Sequence, residues 1–110
     1  RLLTTTEVVM WVRMGTFRVK PGMAATLAAT YNERAVPKVR AVPGNLGCLL
    51  LEPKSSDDEF VVLTIWRDQA AAESYESSGS AAEVLGLVRE CFAGPPSLSS
   101  YVSGSHAGLR

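Results

Sequence analysis

The chain has 110 residues, 46% of them hydrophobic, with eleven basic side chains set against eleven acidic ones. That length suits one domain with its own core, and the apolar content excludes a disordered polymer. With no net formal charge and no basic run, there is no electrostatic reason to expect nucleic acid or an anionic membrane as a partner.

The N-terminus, RLLTTTEVVMWVR, lacks a signal-peptide core, because Glu7 and Arg13 bracket only five apolar residues. No apolar run reaches the length of a membrane span. The cytoplasm is the expected location. Met10 and Met14 are the candidate translation starts. A single domain is expected over 8–105, with tails at 1–7 and 106–110.

Residues 8–19, VVMWVRMGTFRV, read as a strand that is apolar on both parities. Met10, Val12 and Met14 share one side; Trp11, Arg13, Gly15 and Phe17 share the other. Gly15 suggests a bulge or the close approach of another group. Lys20-Pro21-Gly22 ends the strand. A helix follows from Met23, with Met23, Leu27 and Tyr31 on one stripe, and Pro37 is expected to kink or end it. Pro43-Gly44 marks a turn.

GCLLLEP (47–53) and FVVLTIW (60–66) read as strands joined by a polar hairpin, KSSDDE. The acids Asp57, Asp58 and Glu59 there read as solvated rather than metal-binding. Residues 68–78 form a short helix capped by Asp68. Ser80 and Glu83 have capping-box spacing for a further helix through Phe92. Gly94-Pro95-Pro96 stops it, and SLSSYVSGS (97–105) is a serine-rich last strand.

The order β-α-β-β-α-β predicts an α+β, ferredoxin-like protomer: an antiparallel sheet with helices on one face. Helices can cover only one face, yet the first and third strands are apolar on both. A homodimer packed sheet against sheet would cover the second.

The chemistry-bearing residues are few. His106 is the sole histidine, so a zinc cluster, a Ser-His-Asp triad and a Cys-His pair are excluded in any ordinary arrangement. There is no GxGxxG and no Walker loop. Cys48 and Cys91 lack a CxxC partner and read as core thiols. The sequence calls for no metal and no bound cofactor.

Two short motifs carry a resemblance: Pro43-Gly44 before the second strand, and Trp66-Arg67-Asp68-Gln69-Ala70-Ala71 within VVLTIWRDQAAAESYESSG. Together with the element order they resemble the antibiotic biosynthesis monooxygenase family from about Val9 to Val102. The resemblance implies a dimeric α+β barrel with a pocket between sheet and helices in each protomer. It also implies a cofactor-free oxidation by O₂ of a phenolic or quinol-type, polyketide-like aromatic to a quinone. Non-catalytic binding of a small aromatic, or polyketide tailoring of cyclase or isomerase type, is the alternative. The haem-degrading branch is disfavoured: its key positions fall near Gly15, Tyr75 and Leu85, and none carries the required side chain.

Against that background Trp66, Tyr75 and Arg13 are the candidate catalytic residues. Trp66 could offer an indole N–H and a flat wall to substrate, or simply fill the core at a strand end. Tyr75 could pass a proton or hold a phenolate, or pack with its hydroxyl in water. Arg13 could stabilise a phenolate, or reach solvent or pair with an acid such as Glu7. Trp11, Gly15, Phe17, Tyr31 and Leu85 are the candidate substrate-lining residues. Asn32, Glu33 and Arg89 are expected to face water. The expected partners are a second copy of the chain, a small aromatic substrate and O₂.

Overall fold

The computed structural model describes residues 9–55 and 58–104. The candidates Glu7, Asp57 and His106, and both expected tails, lie outside the described residues.

Four strands form one antiparallel sheet in the order β2-β3-β1-β4. They are β1 (Met10–Phe17), β2 (Asn45–Leu51), β3 (Phe60–Trp66) and β4 (Ser97–Ser103). Central β1 pairs with β3 from Trp11↔Trp66 to Phe17↔Phe60, and with β4 from Met10↔Ser103 to Thr16↔Ser97. Both registers run through Gly15 without a shift. The bulge lies in β2 instead, between Asn45 and Gly47. The glycine answers to crowding: a Cβ on Gly15 would stand 3.3 Å from Leu98 Cδ2.

The first helical stretch comprises α1 (Ala24–Thr30), a π-helical turn (Tyr31–Ala35) and α2 (Val36–Arg40). Its buried residues, Leu27, Tyr31, Ala35 and Val39, recur every four residues. In a pure α-helix that spacing drifts by roughly 40° per step. The wider π turn takes up the drift and keeps all four on the sheet. Pro37 does not end the helix, which runs on to Arg40; the irregularity lies just before it, in the π turn where the Val36 N–H reaches the Tyr31 carbonyl.

The second helical half is α3 (Gln69–Ser77), α4 (Ser80–Val88) and a 3₁₀ turn (Arg89–Cys91). Asp68 caps α3 as expected, its Oδ1 accepting the Ala71 N–H at 2.9 Å. The Ser80–Glu83 capping box does not form. Gly79, at φ +91°, is the N-cap of α4, and its carbonyl accepts the Glu83 N–H at 3.0 Å. Ser80 is already helical, and its hydroxyl turns to Ser78 at 3.0 Å. The helix stops at Val88 rather than Phe92. The next residues are drawn to the extension of β1, by Lys20 N–H to Cys91 O and Ala93 N–H to Arg18 O, each 2.8 Å.

The core lies between the sheet and the helices and has two parts. One gathers Tyr31, Ala35, Val39, Trp66, Ala72, Tyr75 and Val84. The other gathers Phe17, Leu27, Phe60, Val88, Cys91 and Phe92. Cys91 is buried, whereas Cys48 is only half-buried, because β2 is an edge strand. The opposite sheet face carries Val12, Met14, Val61, Leu63 and Ile65, all half-buried, with Leu49, Leu51 and Tyr101 exposed. No helix among the described residues covers that face.

Candidate functional site

The structure brings Arg13, Tyr75, Trp66, Trp11 and Tyr31 to one end of the sheet–helix interface. Trp66 ends β3 and Tyr75 sits on α3. Their rings meet at 4.7 Å between centroids with 32° between planes. Trp66 is fully buried, and its indole N–H donates to Thr64 Oγ1 at 2.9 Å. That donor is spent inside the protein, so Trp66 acts on the site as a fixed wall.

Arg13 projects from the helix-facing side of β1. Its guanidinium carbon lies 5.6 Å from the Tyr75 ring centroid, a cation–π contact. The same guanidinium forms a hydrogen-bonded ion pair with Glu76, the next residue of α3. The Arg13 side chain is 12% exposed and that of Glu76 51%. Arg13 Nε is buried and has no acceptor among the described residues. The costly alternative, a buried cation with no partner at all, is thus avoided by an acid that only the fold brings near.

Burial pushes the Tyr75 phenol up to about 12, against a smaller opposing pull from the Arg13 charge. Tyr75 is therefore a neutral phenol near neutral pH. Burial raises the Tyr31 phenol further, with Cys48 and Tyr75 adding to the effect. The Tyr31 hydroxyl is buried, has no well-aligned hydrogen bond among the described residues, and has the Cys48 thiol beside it. Burial raises the Cys48 thiol as well, against opposing contributions from Tyr31 and Arg40.

The other candidates lie elsewhere. Phe17 is in the second core cluster, 4.4 Å from Phe92 and 6.0 Å from Phe60 between ring centroids. Leu98 fills the space above Gly15. Half-buried Leu85 lines a cleft of about 470 Å³ with Arg89, Phe92, Gly94, Pro95 and Pro96. Pro96 leads directly into β4. The helix-facing side of that strand, Leu98, Ser100 and Val102, is exposed and pairs with Gly15, Arg13 and Trp11. An uncovered strip thus runs from the cleft past Arg13. Asn32, Glu33 and Arg89 are exposed, as expected.

Sequence reasoning missed Glu76 and most of the cleft. Nothing in the sequence points from Arg13 to Glu76 rather than to solvent or to an acid such as Glu7. Among the described residues, no group of three His, Cys, Asp or Glu side chains could hold a metal ion. No helix among them is long and apolar enough to cross a membrane.

The profile of the family described as "Antibiotic biosynthesis monooxygenase" matches residues 10–85. The chain belongs to this family. The matched segment spans β1 to the middle of α4 and so contains Arg13, Trp66, Tyr75 and Glu76. No curated protein matches the sequence. Several solved structures share the ABM fold. A Nitrosomonas europaea protein of unknown function superposes with a TM-score of 0.75 at 18% identity, covering 94% of this chain and 97% of its own. A Mycobacterium tuberculosis protein gives 0.72 at 18%, covering 90% and 99%. A variant of SnoaB, a cofactor-independent oxygenase from Streptomyces nogalater, gives 0.72 at 14%, covering 88% and 95%.

Proposed function

We propose that this ABM protein oxidises a phenolic or quinol-type aromatic with O₂ to a quinone, without a bound cofactor, in the space bounded by Arg13, the open strip of β4 and the Leu85–Pro96 cleft. One observation carries the reading: a largely buried cation, Arg13, lies beside the exposed, helix-facing side of β4, formed by Leu98, Ser100 and Val102. A cation there favours the phenolate over the phenol. The phenolate's carbanion form gives one electron to O₂, the radical pair joins as a peroxide anion, and that anion takes up a proton in place of the one the substrate gave, forming the hydroperoxide. Loss of water then leaves the carbonyl of the quinone. The substrate supplies the electrons, while the protein supplies charge placement and a water-poor wall.

Tyr75 holds Arg13 from beneath, and Trp66 holds Tyr75. Trp11 and Leu85 bound the strip, Tyr31 backs the wall, and Phe17 braces the cleft through Phe92. The family neighbour described as a cofactor-independent oxygenase supports this chemistry. The uncovered apolar sheet face supports a homodimer packed sheet to sheet.

The test is oxygen uptake with a polyhydroxy anthrone, no metal or flavin added, for the wild type beside Arg13→Met and Trp66→Phe. Quinone formation above background, lost in Arg13→Met and reduced in Trp66→Phe, is expected. Binding without turnover is a second reading, favoured by the sealed Trp66 N–H. A thermal shift with hydroxylated aromatics and no oxygen uptake would select it.

A further inference from the structure

We propose that Glu76 is the proton acceptor of this site and that it exchanges places with the substrate anion on Arg13. The proposal rests on the oxidation reading above and supplies the base that the sequence lacks. His106, the only histidine, lies outside the described residues, and the Tyr75 phenol is held neutral. Among the described residues Glu76 is the carboxylate the fold brings to Arg13, and the Arg13 guanidinium is its ion-pair partner. Half-exposed Glu76 stands at the rim, with Arg13 at the wall and Ser100 opposite Arg13 across the sheet pairing. The other acid of α3 beyond its cap, Glu73, is taken by Gln69 at 2.7 Å, and Glu83 of α4 lies toward Lys38 at 3.7 Å.

A phenol is a far weaker acid than a carboxylic acid and does not readily give its proton to a carboxylate unaided. Arg13 makes the transfer feasible. The substrate O–H bond breaks and an O–H bond forms on Glu76, with no change of oxidation state. Protonated Glu76 loses its hold on the guanidinium as the new phenolate gains one. The cation keeps one anionic partner throughout, so no charge is left unpaired at the strip. Arg13 Nε, the donor without an acceptor, adds a reason for the guanidinium to turn toward a second oxygen. Glu76 then returns its proton to solvent through its exposed side.

Proton transfer can be read without O₂. Removing a proton from an anthrone's methylene, or from its phenol tautomer, gives the same anion. The experiment is methylene hydrogen–deuterium exchange of a polyhydroxy anthrone in D₂O under argon, for wild type, Glu76→Gln and Glu76→Asp. A hydroxyanthraquinone, which cannot be oxidised further in the same way, reports binding. Wild type is expected to exchange above buffer, Glu76→Gln to lose about a hundredfold, and Glu76→Asp to recover part of it. Binding of the dye by Glu76→Gln is expected to stay within about threefold or to tighten, since its competitor for Arg13 is gone. Exchange by Glu76→Gln at the wild-type rate would overturn the proposal. So would a joint loss of exchange and dye binding, which marks a residue that merely braces Arg13, or a wild type that exchanges nothing. Exchange without oxygen uptake would uphold Glu76 as the acceptor and overturn the oxidation reading instead.

Discussion

Gly44 packs so closely on Ala71 that a Cβ at Gly44 would stand 2.4 Å from the Ala71 Cβ. The two stretches that carry the family resemblance, Pro43-Gly44 and Trp66 to Ala71, therefore meet in space. The Arg67 N–H reaches the Gly44 carbonyl at 2.8 Å, Asp68 caps α3, and the Trp66 N–H closes on Thr64. These residues secure the passage from β3 to α3, which delivers Tyr75 and Glu76 to Arg13. Gly44→Ala should cost about 2 kcal/mol or more, because the φ of +88° and the contact both oppose it. Gly22→Ala, at φ +80° with open space around it, should cost about 1 kcal/mol. Urea unfolding of both variants checks the contrast.

Arg13→Met keeps the length and apolar stem of the side chain and removes its charge. Turnover of a phenolic substrate should fall about a hundredfold. The stability change should stay within about 1 kcal/mol, since half-exposed Glu76 can be solvated once released. Arg13→Lys should recover part of the rate, because a point charge replaces a planar fork. Steady-state oxygen uptake alongside thermal unfolding separates the two effects.

Trp66→Phe strands a buried Thr64 hydroxyl and leaves a space beside Tyr75. A loss of about 2–4 kcal/mol is expected in urea. Turnover should fall less than in Arg13→Met, by about tenfold, because Trp66 acts through the position of Tyr75.

Alkali should unfold the protein through its buried phenols. An unfolded tyrosine ionises at about pH 10, whereas Tyr75 in the fold does so at about 12. Its contribution is whole below the lower value and is lost as pH rises toward the higher one, about 3 kcal/mol in all. Tyr75→Phe should move the alkaline unfolding midpoint upward. Phenolate absorbance followed beside circular dichroism provides the measurement.

The uncovered sheet face predicts twice the chain mass by light scattering. Leu63→Glu, which sets a charge in the middle of that face opposite Met14 and Leu49, should give a monomer at the same concentration. A wild-type monomer would leave the apolar face unexplained and remove the dimer reading.

The sequence by itself determined the element order, the bounds of β3, the Asp68 cap and the two-sided apolar character of β1. These are local matters: side-chain alternation, turn residues and a short-range hydrogen bond leave their marks within a few positions. It also singled out Arg13 as a mid-strand cation that would meet a phenolate, solvent or an acid such as Glu7. The fold decides that, among the described residues, Glu76 meets Arg13 from 63 positions away, that Leu98 covers Gly15, and that the Trp66 N–H is already bonded. It also decided that a π turn carries the first helix past Pro37. Each of these depends on which surfaces the sheet order β2-β3-β1-β4 brings together. Charge pairing and packing act through space, and nothing in the spacing of residues along the chain records which of eleven acids the fold will carry to one arginine.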